Sequence, residues 1–156
     1  MRYLIAALIY LVPSAALANV ITAADVAQLN GFEKQLVQLQ DDNNEIAKGI
    51  SSGSTELECV LGLQRELDSA TEALGAVKAL SMLALTMRDK RDQDFANAVL
   101  EERLDHARKR LAIDRGGINL MSGHCSDSPM VVTKAQKATD LIDSLGKTYE
   151  GIASRL

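Results

Sequence analysis

The sequence has few aromatic residues and few residues that break regular structure. Only 3% of its 156 residues are aromatic, Trp is absent, and there are 2 Pro and 10 Gly. Strands and ligand pockets are usually rich in aromatic side chains, so β-sandwiches, aromatic-lined pockets and base-stacking surfaces are disfavoured. With 47% hydrophobic and 24% charged residues, the composition is typical of one globular domain built from long helices.

Basic residues are also fewer than acidic residues. The 17 Lys and Arg residues face 21 Asp and Glu residues, which gives a net charge of −4, one unit more negative once Arg2 is removed. A negative protein is not attracted to nucleic acid or to anionic membrane surfaces. We therefore expect no nucleic acid among its partners.

The first residues have the pattern of a secretory signal peptide. Arg2 precedes an apolar run over 4–12, and Pro13 is followed by the small-residue site Ala16-Leu17-Ala18. We expect cleavage after Ala18, which leaves 19–156 as a single helical domain in the periplasm or outside the cell. The apolar run is shorter than the roughly 20 residues of a membrane span, so we expect no stable span after cleavage. Retention of the run as an anchor is the alternative.

The sequence contains 2 cysteines. In an oxidising compartment their simplest arrangement is one disulfide, Cys59–Cys125. One alternative is a catalytic thiol at Cys125 activated by His124, but adjacent residues rarely point at each other. Another is a zinc site formed by both cysteines with His106 and His124, which lacks any close ligand pair such as Cys-x-x-Cys.

A heptad-like pattern predicts a first helix over Ala23–Ile50. Its inward positions alternate in steps of three and four: Leu29, Phe32, Leu36, Leu39, Asn43, Ile46 and Ile50. Asn43 is polar where an apolar residue would be more stable. It either fixes the register of the packing or lies at a solvated helix end, and we expect the second.

A second helix is predicted after the loop 51–54, because Thr55 and Glu58 have the spacing of a capping box. This places Cys59 in the first turn. The stretch 73–87 has Lys78 as its one charge, so it must be covered on most sides, either at the centre of the bundle or at a subunit interface. Its small residues would permit close helix approach: Ala73, Gly75, Ala76, Ala79 and Ala84.

Three residues near the end of this helix are the predicted contact surface for another protein: Leu80, Leu83 and Met87. The alternative is that they belong to the core. A partner surface would leave some of them exposed in the isolated chain.

The polar cluster 88–92 predicts a turn, with a continuous helix as the alternative. The apolar pattern then resumes through a third helix: Phe95, Val99, Leu100, Leu104, Ala107 and Leu111. We expect this helix to end at Gly116-Gly117. The basic residues of its last turns would complement the helix dipole: Arg108, Lys109, Arg110 and Arg115.

Ser128-Pro129 predicts the start of a fourth helix, after a loop over 118–127 that contains Cys125. Helix two rises about 44 Å from Cys59 and helix three descends about 36 Å at 1.5 Å per residue. The chain therefore returns to the level of Cys59 near Cys125, where a disulfide needs no distortion. The predicted fold is an all-α, antiparallel four-helix bundle with long coiled-coil-like helices and one disulfide.

No motif predicts catalysis, a cofactor or a metal site. Haem attachment by Cys-x-x-Cys-His is absent, and a haem between helices would need His106 with Met82 or Met87. The acidic residues occupy positions that solvent exposure explains. We expect a protein that is not an enzyme, and a periplasmic haem- or metal-binding bundle is an alternative.

The run Lys34-Gln35-Leu36-Val37-Gln38-Leu39-Gln40, close behind a signal peptide, resembles the opening of minor pilus-tip subunits of type IV secretion systems. That resemblance implies a helical protein that acts through protein contacts. It covers a short part of a chain smaller than that family usually has, and it implies no residue roles. From the residues themselves we expect an exported protein that binds another protein or itself in an envelope or secretion assembly.

Overall fold

A computed structural model describes residues 20–156 and has four helices: α1 Ala23–Lys48, α2 Thr55–Thr86, α3 Lys90–His124 and α4 Pro129–Ala153. Consecutive helices run antiparallel, and α2 packs against each of the other three. The predicted all-α four-helix bundle is confirmed. The expected break between the second and third helices is also confirmed, but it spans 87–89 rather than 88–92, because α3 begins at Lys90.

The predicted signal peptide and its cleavage site lie outside the described residues. Within 20–156, none of the four helices combines the length and the apolar character that crossing a membrane requires.

Side chains that cap the helices fix where α1 and α2 begin. Thr22 Oγ1 accepts from the Asp25 amide at 3.2 Å while the Asp25 carboxylate accepts from the Thr22 amide at 2.8 Å, a capping box. At α2 the expected box of Thr55 and Glu58 is wrong: Ser54 is the cap, and its Oγ accepts from the Leu57 amide at 3.2 Å. Ser54 caps the helix one residue earlier and satisfies the Leu57 amide rather than the Glu58 amide.

The expected end of helix three at Gly116-Gly117 is also wrong, because α3 continues to His124. Each glycine destabilises a helix by about 1 kcal/mol relative to alanine. The packing of α3 against the rest of the bundle nevertheless continues beyond the two glycines. Ile118 is completely buried, and Met121 packs closely over Gly62 of α2. The connection to α4 is therefore the short segment 125–128 rather than the long loop expected.

Asn43 does not lie at a solvated end, contrary to expectation. Its side chain is 1% exposed, and its Nδ2 donates to the Val60 carbonyl at 2.8 Å and to Gln64 Oε1 at 3.1 Å. A polar side chain this deep requires partners, and α2 supplies them.

The Cys59–Cys125 disulfide is confirmed, with an S–S distance of 2.01 Å and a Cα–Cα distance of 6.1 Å. It joins the start of α2 to the end of α3. Both cysteines belong to a small buried cluster with Val60 and Val131, so the bridge is covered by apolar side chains.

Candidate protein-binding surface

Helices α2 and α3 form an antiparallel hairpin with a clear register. Three facing pairs define it: Gly62 with Met121, Glu66 with Gly117, and Ser69 with Asp114. Each step forward along α2 is therefore matched by one step back along α3. By this register Ala79 lies at the level of Leu104, and Leu83 lies at the level of Leu100.

The most exposed large apolar side chains of the described residues all belong to α3. Phe95 is 71% exposed, Ile113 65% and Leu120 78%. At 3.6 residues per turn, Ile113 lies five turns after Phe95 and Leu120 two turns after Ile113. The three side chains therefore share one face of α3 along most of its length.

Exposed residues of α2 border the same face. Leu83 is 46% exposed and lies within about 40° of the direction in which Ser69 faces α3. Ala79 is exposed one turn earlier. The other side of the α2–α3 contact is the core, so these residues lie on the outer side.

We name this surface the hairpin face. It consists of Leu61, Glu72, Ala76, Ala79 and Leu83 of α2 together with Phe95, Glu102, His106, Lys109, Ile113 and Leu120 of α3.

A groove of about 160 Å³ opens on the hairpin face between the two helices. Small side chains line its apolar part: Ala73, Ala76 and Ala107. Its polar lining comes from Ser69 and from the exposed side chains of Glu72, Arg103, His106 and Arg110.

The three predicted contact residues do not share one environment. Leu83 belongs to the hairpin face, whereas Leu80 and Met87 are half-buried and pack against the core. Phe95 was expected to face inward and is exposed instead. Ala96 takes the inward position and is 2% exposed.

A polar cluster lies beneath one end of the groove. Ser69 Oγ donates to Asp114 Oδ1 at 2.8 Å, and Arg110 Nε donates to Ser69 Oγ at 2.5 Å. Arg110 Nε is also 3.3 Å from Asp114 Oδ1. Asp114 is completely buried, and its Oδ2 has no hydrogen-bond partner among the described residues.

Burial controls the pKa values of the two carboxyl groups in this cluster. It raises the pKa of Asp114, and the hydrogen bond from Ser69 and the charge of Arg110 only partly offset it. Burial also raises the pKa of Glu66, and the neighbouring negative charge of Asp114 raises it further. Both groups are therefore easier to protonate than ordinary carboxyl groups.

The basic residues of α3 do not cap its last turns, as was expected, because α3 continues beyond them. They pair with acidic side chains instead. Arg115 Nε lies 2.9 Å from Asp143 of α4, and Lys109 Nζ lies 2.6 Å from Asp105 one turn earlier. These basic residues thus either connect α3 to α4 or form ion pairs on the solvent-exposed face of α3.

The residues considered for metal, haem or thiol chemistry lie apart. Both cysteine sulfurs belong to the disulfide, which rules out the thiol and zinc alternatives that used them. Over 20–156 there is no cluster of three or more His, Cys, Asp or Glu that could hold a metal ion. His106 is exposed and lies at the level of Val77, more than a turn from Met82 or Met87.

The chain has no match among protein-family models, curated proteins or solved structures.

Proposed function

We propose that this chain is an exported helical protein that acts through contacts with protein, and that the hairpin face is its contact surface. The observation that carries the proposal is the alignment of Phe95, Ile113 and Leu120. Isolated exposed apolar residues are ordinary. On α3, Phe95, Ile113 and Leu120 form a stripe on one face that is interrupted by Glu102, His106 and Lys109. Exposed apolar residues that recur on one face of a helix are a feature of interaction sites.

The composition of the hairpin face supports the same role. Phe95, Ile113 and Leu120 lie along its centre line with Glu102 and His106 between Phe95 and Ile113, and Arg103 and Arg110 lie along the groove. Protein interfaces are enriched in aromatic residues and Arg relative to other surfaces.

Export is supported by two independent features of the chain. The residues up to Ala18 have the pattern of a signal peptide, and Cys59–Cys125 is a disulfide of the kind that persists in oxidising compartments. We place the mature protein in the periplasm or outside the cell.

The resemblance to minor pilus-tip subunits stays a prediction. Within that run Leu36 is buried and Leu39 packs against the core, so the packing of α1 against the other helices accounts for its leucines.

Site-specific photo-crosslinking tests the proposal. A photoreactive amino acid is placed at Ile113, and in a control at Ala27, an exposed position of α1, in the cell that produces the protein. We expect illumination to give a discrete protein adduct from position 113 and little from position 27.

A second variant separates specific contact from collision. Phe95→Glu with Leu120→Glu introduces charge on the stripe and is expected to reduce the adduct at position 113 at least tenfold, since burying an unpaired charge disfavours the complex. Equal adducts from positions 113 and 27, or an adduct unaffected by the charges, would overturn the proposed function.

A further inference from the structure

We infer that Glu66 and Asp114 hold one proton between them, carried by Glu66, and that this proton fastens α2 to α3 in a pH-dependent way. The two carboxyl groups belong to the polar cluster beneath the groove. The inference goes beyond the proposed function and does not depend on what the hairpin face binds.

Asp114 has one carboxylate oxygen that lacks a donor. The residue is completely buried. Its Oδ1 accepts from Ser69 Oγ at 2.8 Å and lies 3.3 Å from Arg110 Nε, whereas its Oδ2 has no hydrogen-bond partner among the described residues. A charged oxygen that is buried without a donor is strongly disfavoured. We therefore expect the folded protein to supply a donor to Oδ2.

The carboxyl group of Glu66 is placed to be this donor. Glu66 lies one turn before Ser69 on α2. Its two carboxyl oxygens are 2.8 and 2.9 Å from the position that a Cβ of Gly117 would take, one turn after Asp114 on α3. The carboxyl groups of Glu66 and Asp114 are within hydrogen-bonding reach of each other. Two ionised carboxyl groups have only acceptors, so a hydrogen bond between them requires a proton.

The charges around the pair also favour one proton. Arg110 is the cation that contacts Asp114. Arg65 acts on Glu66 as well, but it is exposed, so solvent screens its charge. With both carboxyl groups ionised, two negative charges would face the one charge of Arg110, and a single proton restores the balance. Charged side chains of α1 and α4 at this level of the bundle pair elsewhere: Asp42 with Lys134, and Asp143 with Arg115.

The neighbouring donors assign the proton to Glu66. Ser69 Oγ and Arg110 Nε stabilise the ionised form of Asp114, whereas no N–H or O–H of the described residues donates to Glu66. Burial raises the pKa of both groups, and the hydrogen bond between them then raises the pKa of Glu66 and lowers that of Asp114. Protonated Glu66 donates to Asp114 and satisfies the oxygen that otherwise has no partner.

The contact between α2 and α3 therefore becomes stronger as the pH falls. Because the pKa of Glu66 is raised in the folded protein, the stabilisation is complete below the pKa of an unfolded glutamate and is lost as the pH rises through the raised pKa. Ser69 and Arg110 also line the groove. The proton thus joins the two helices directly beneath the hairpin face.

Carbon NMR of the side-chain carboxyl groups tests the position of the proton in the disulfide-bonded mature protein. We expect the Glu66 Cδ signal to titrate at a higher pH in the folded protein than in urea-unfolded protein. The Asp114 Cγ signal is expected to remain that of an ionised carboxylate through this step. A Glu66 signal that titrates as in the unfolded protein, or an Asp114 that takes the proton first, overturns the inference.

Two variants of nearly unchanged shape separate a shared proton from the effect of burial alone. In Asp114→Asn the Glu66 titration is expected to shift back toward that of the unfolded chain, because the negative neighbour is lost. An unshifted titration would show that burial alone raises the pKa of Glu66, and it overturns the shared proton. In Glu66→Gln, Asp114 is expected to stay ionised over the pH range in which Glu66 of the wild type titrates, and an Asp114 that titrates there instead also overturns it.

Amide hydrogen exchange measures the contact between the helices. The amides of Leu67 and Ile118, beside the pair on α2 and α3, are expected to gain protection as the pH falls through the Glu66 titration, after correction for the pH dependence of the exchange chemistry. Glu66→Gln should remove this dependence on pH, because its amide is a permanent donor. Glu72→Gln, at an exposed position of α2, is the control and should behave as wild type. Equal protection of the wild type above and below the Glu66 titration overturns the pH-dependent contact.

Discussion

Asn43 of α1 donates a hydrogen bond from Nδ2 to the main-chain carbonyl of Val60 in α2, 2.8 Å away. The same nitrogen donates to Gln64 Oε1 at 3.1 Å. These bonds form at only one alignment of α1 along α2, so Asn43 fixes the register of that helix pair as well as stabilising it.

Replacement of Asn43 tests this role. Asn43→Ala is expected to lower the free energy of unfolding by about 1–2 kcal/mol, because it removes two buried hydrogen bonds and leaves a void. The neighbouring Asn44 is exposed, so Asn44→Ala is the matched control and should change stability little. Urea denaturation measures both, and similar losses would contradict the assignment.

The two adjacent glycines of α3 are expected to respond differently to alanine. A Cβ at Gly116 would meet no heavy atom within 4 Å, so Gly116→Ala should stabilise α3 by about 1 kcal/mol. A Cβ at Gly117 would lie 2.7 Å from Glu66 Cδ, so Gly117→Ala must displace that carboxyl group. We expect Gly117→Ala to gain less than Gly116→Ala in thermal denaturation, and an equal gain would show that Glu66 moves freely.

Glu66 and Asp114 make stability depend on pH. Because both pKa values are raised in the folded protein, the folded state binds protons more tightly than the unfolded chain above about pH 4. The contribution of this pair therefore becomes more favourable as the pH falls from neutral through the raised pKa values.

Glu66→Gln removes one of these charges. It is expected to raise the free energy of unfolding at pH 7 and to weaken the gain that wild type shows on mild acidification. Glu72→Gln, at an exposed position of the same helix, is the control. Urea denaturation at several pH values provides the comparison, and a Glu66→Gln variant less stable than wild type at pH 7 would contradict the direction.

The disulfide is expected to stabilise the bundle substantially. Its cysteines are 66 residues apart in sequence, and the loop-entropy estimate for such a separation is about 4 kcal/mol. Cys59→Ser with Cys125→Ser should lower the free energy of unfolding by roughly that amount. Urea denaturation measures the loss. An unchanged midpoint in the double variant would contradict the estimate and would show that packing alone holds the two joined segments together.

Periodicity in the sequence predicted the four helices, a polar cluster predicted the break after α2, and the presence of two cysteines in an exported chain predicted the disulfide. It could not identify which neighbouring residue faces inward where size and spacing disagree. The large Phe95 was expected inside, but the small Ala96 continues the buried series to Leu100. The step of four residues from Ala96 to Leu100 was the one sequence signal that could have placed Ala96, rather than Phe95, on the buried side of α3.

Other features depended on contacts between helices and had no local signal. Asp114 is polar and near a basic run, yet it is completely buried against Ser69 of α2. Gly117 had the pattern of a helix end, but it lies within α3, where the Glu66 carboxyl group of α2 occupies the position of its absent Cβ. The hairpin face could be identified only from the register of α2 on α3, because its residues come from two helices.

The mass of the native assembly tests the role of the hairpin face most directly. The protein released from its producing cell is separated by size without denaturation, beside a variant with Phe95→Glu and Ile113→Glu. We predict that wild type elutes as a complex larger than one chain and that the variant elutes as one folded chain. A wild type that elutes as a single chain, or a variant that keeps the complex, would contradict the hairpin face as a protein-binding surface.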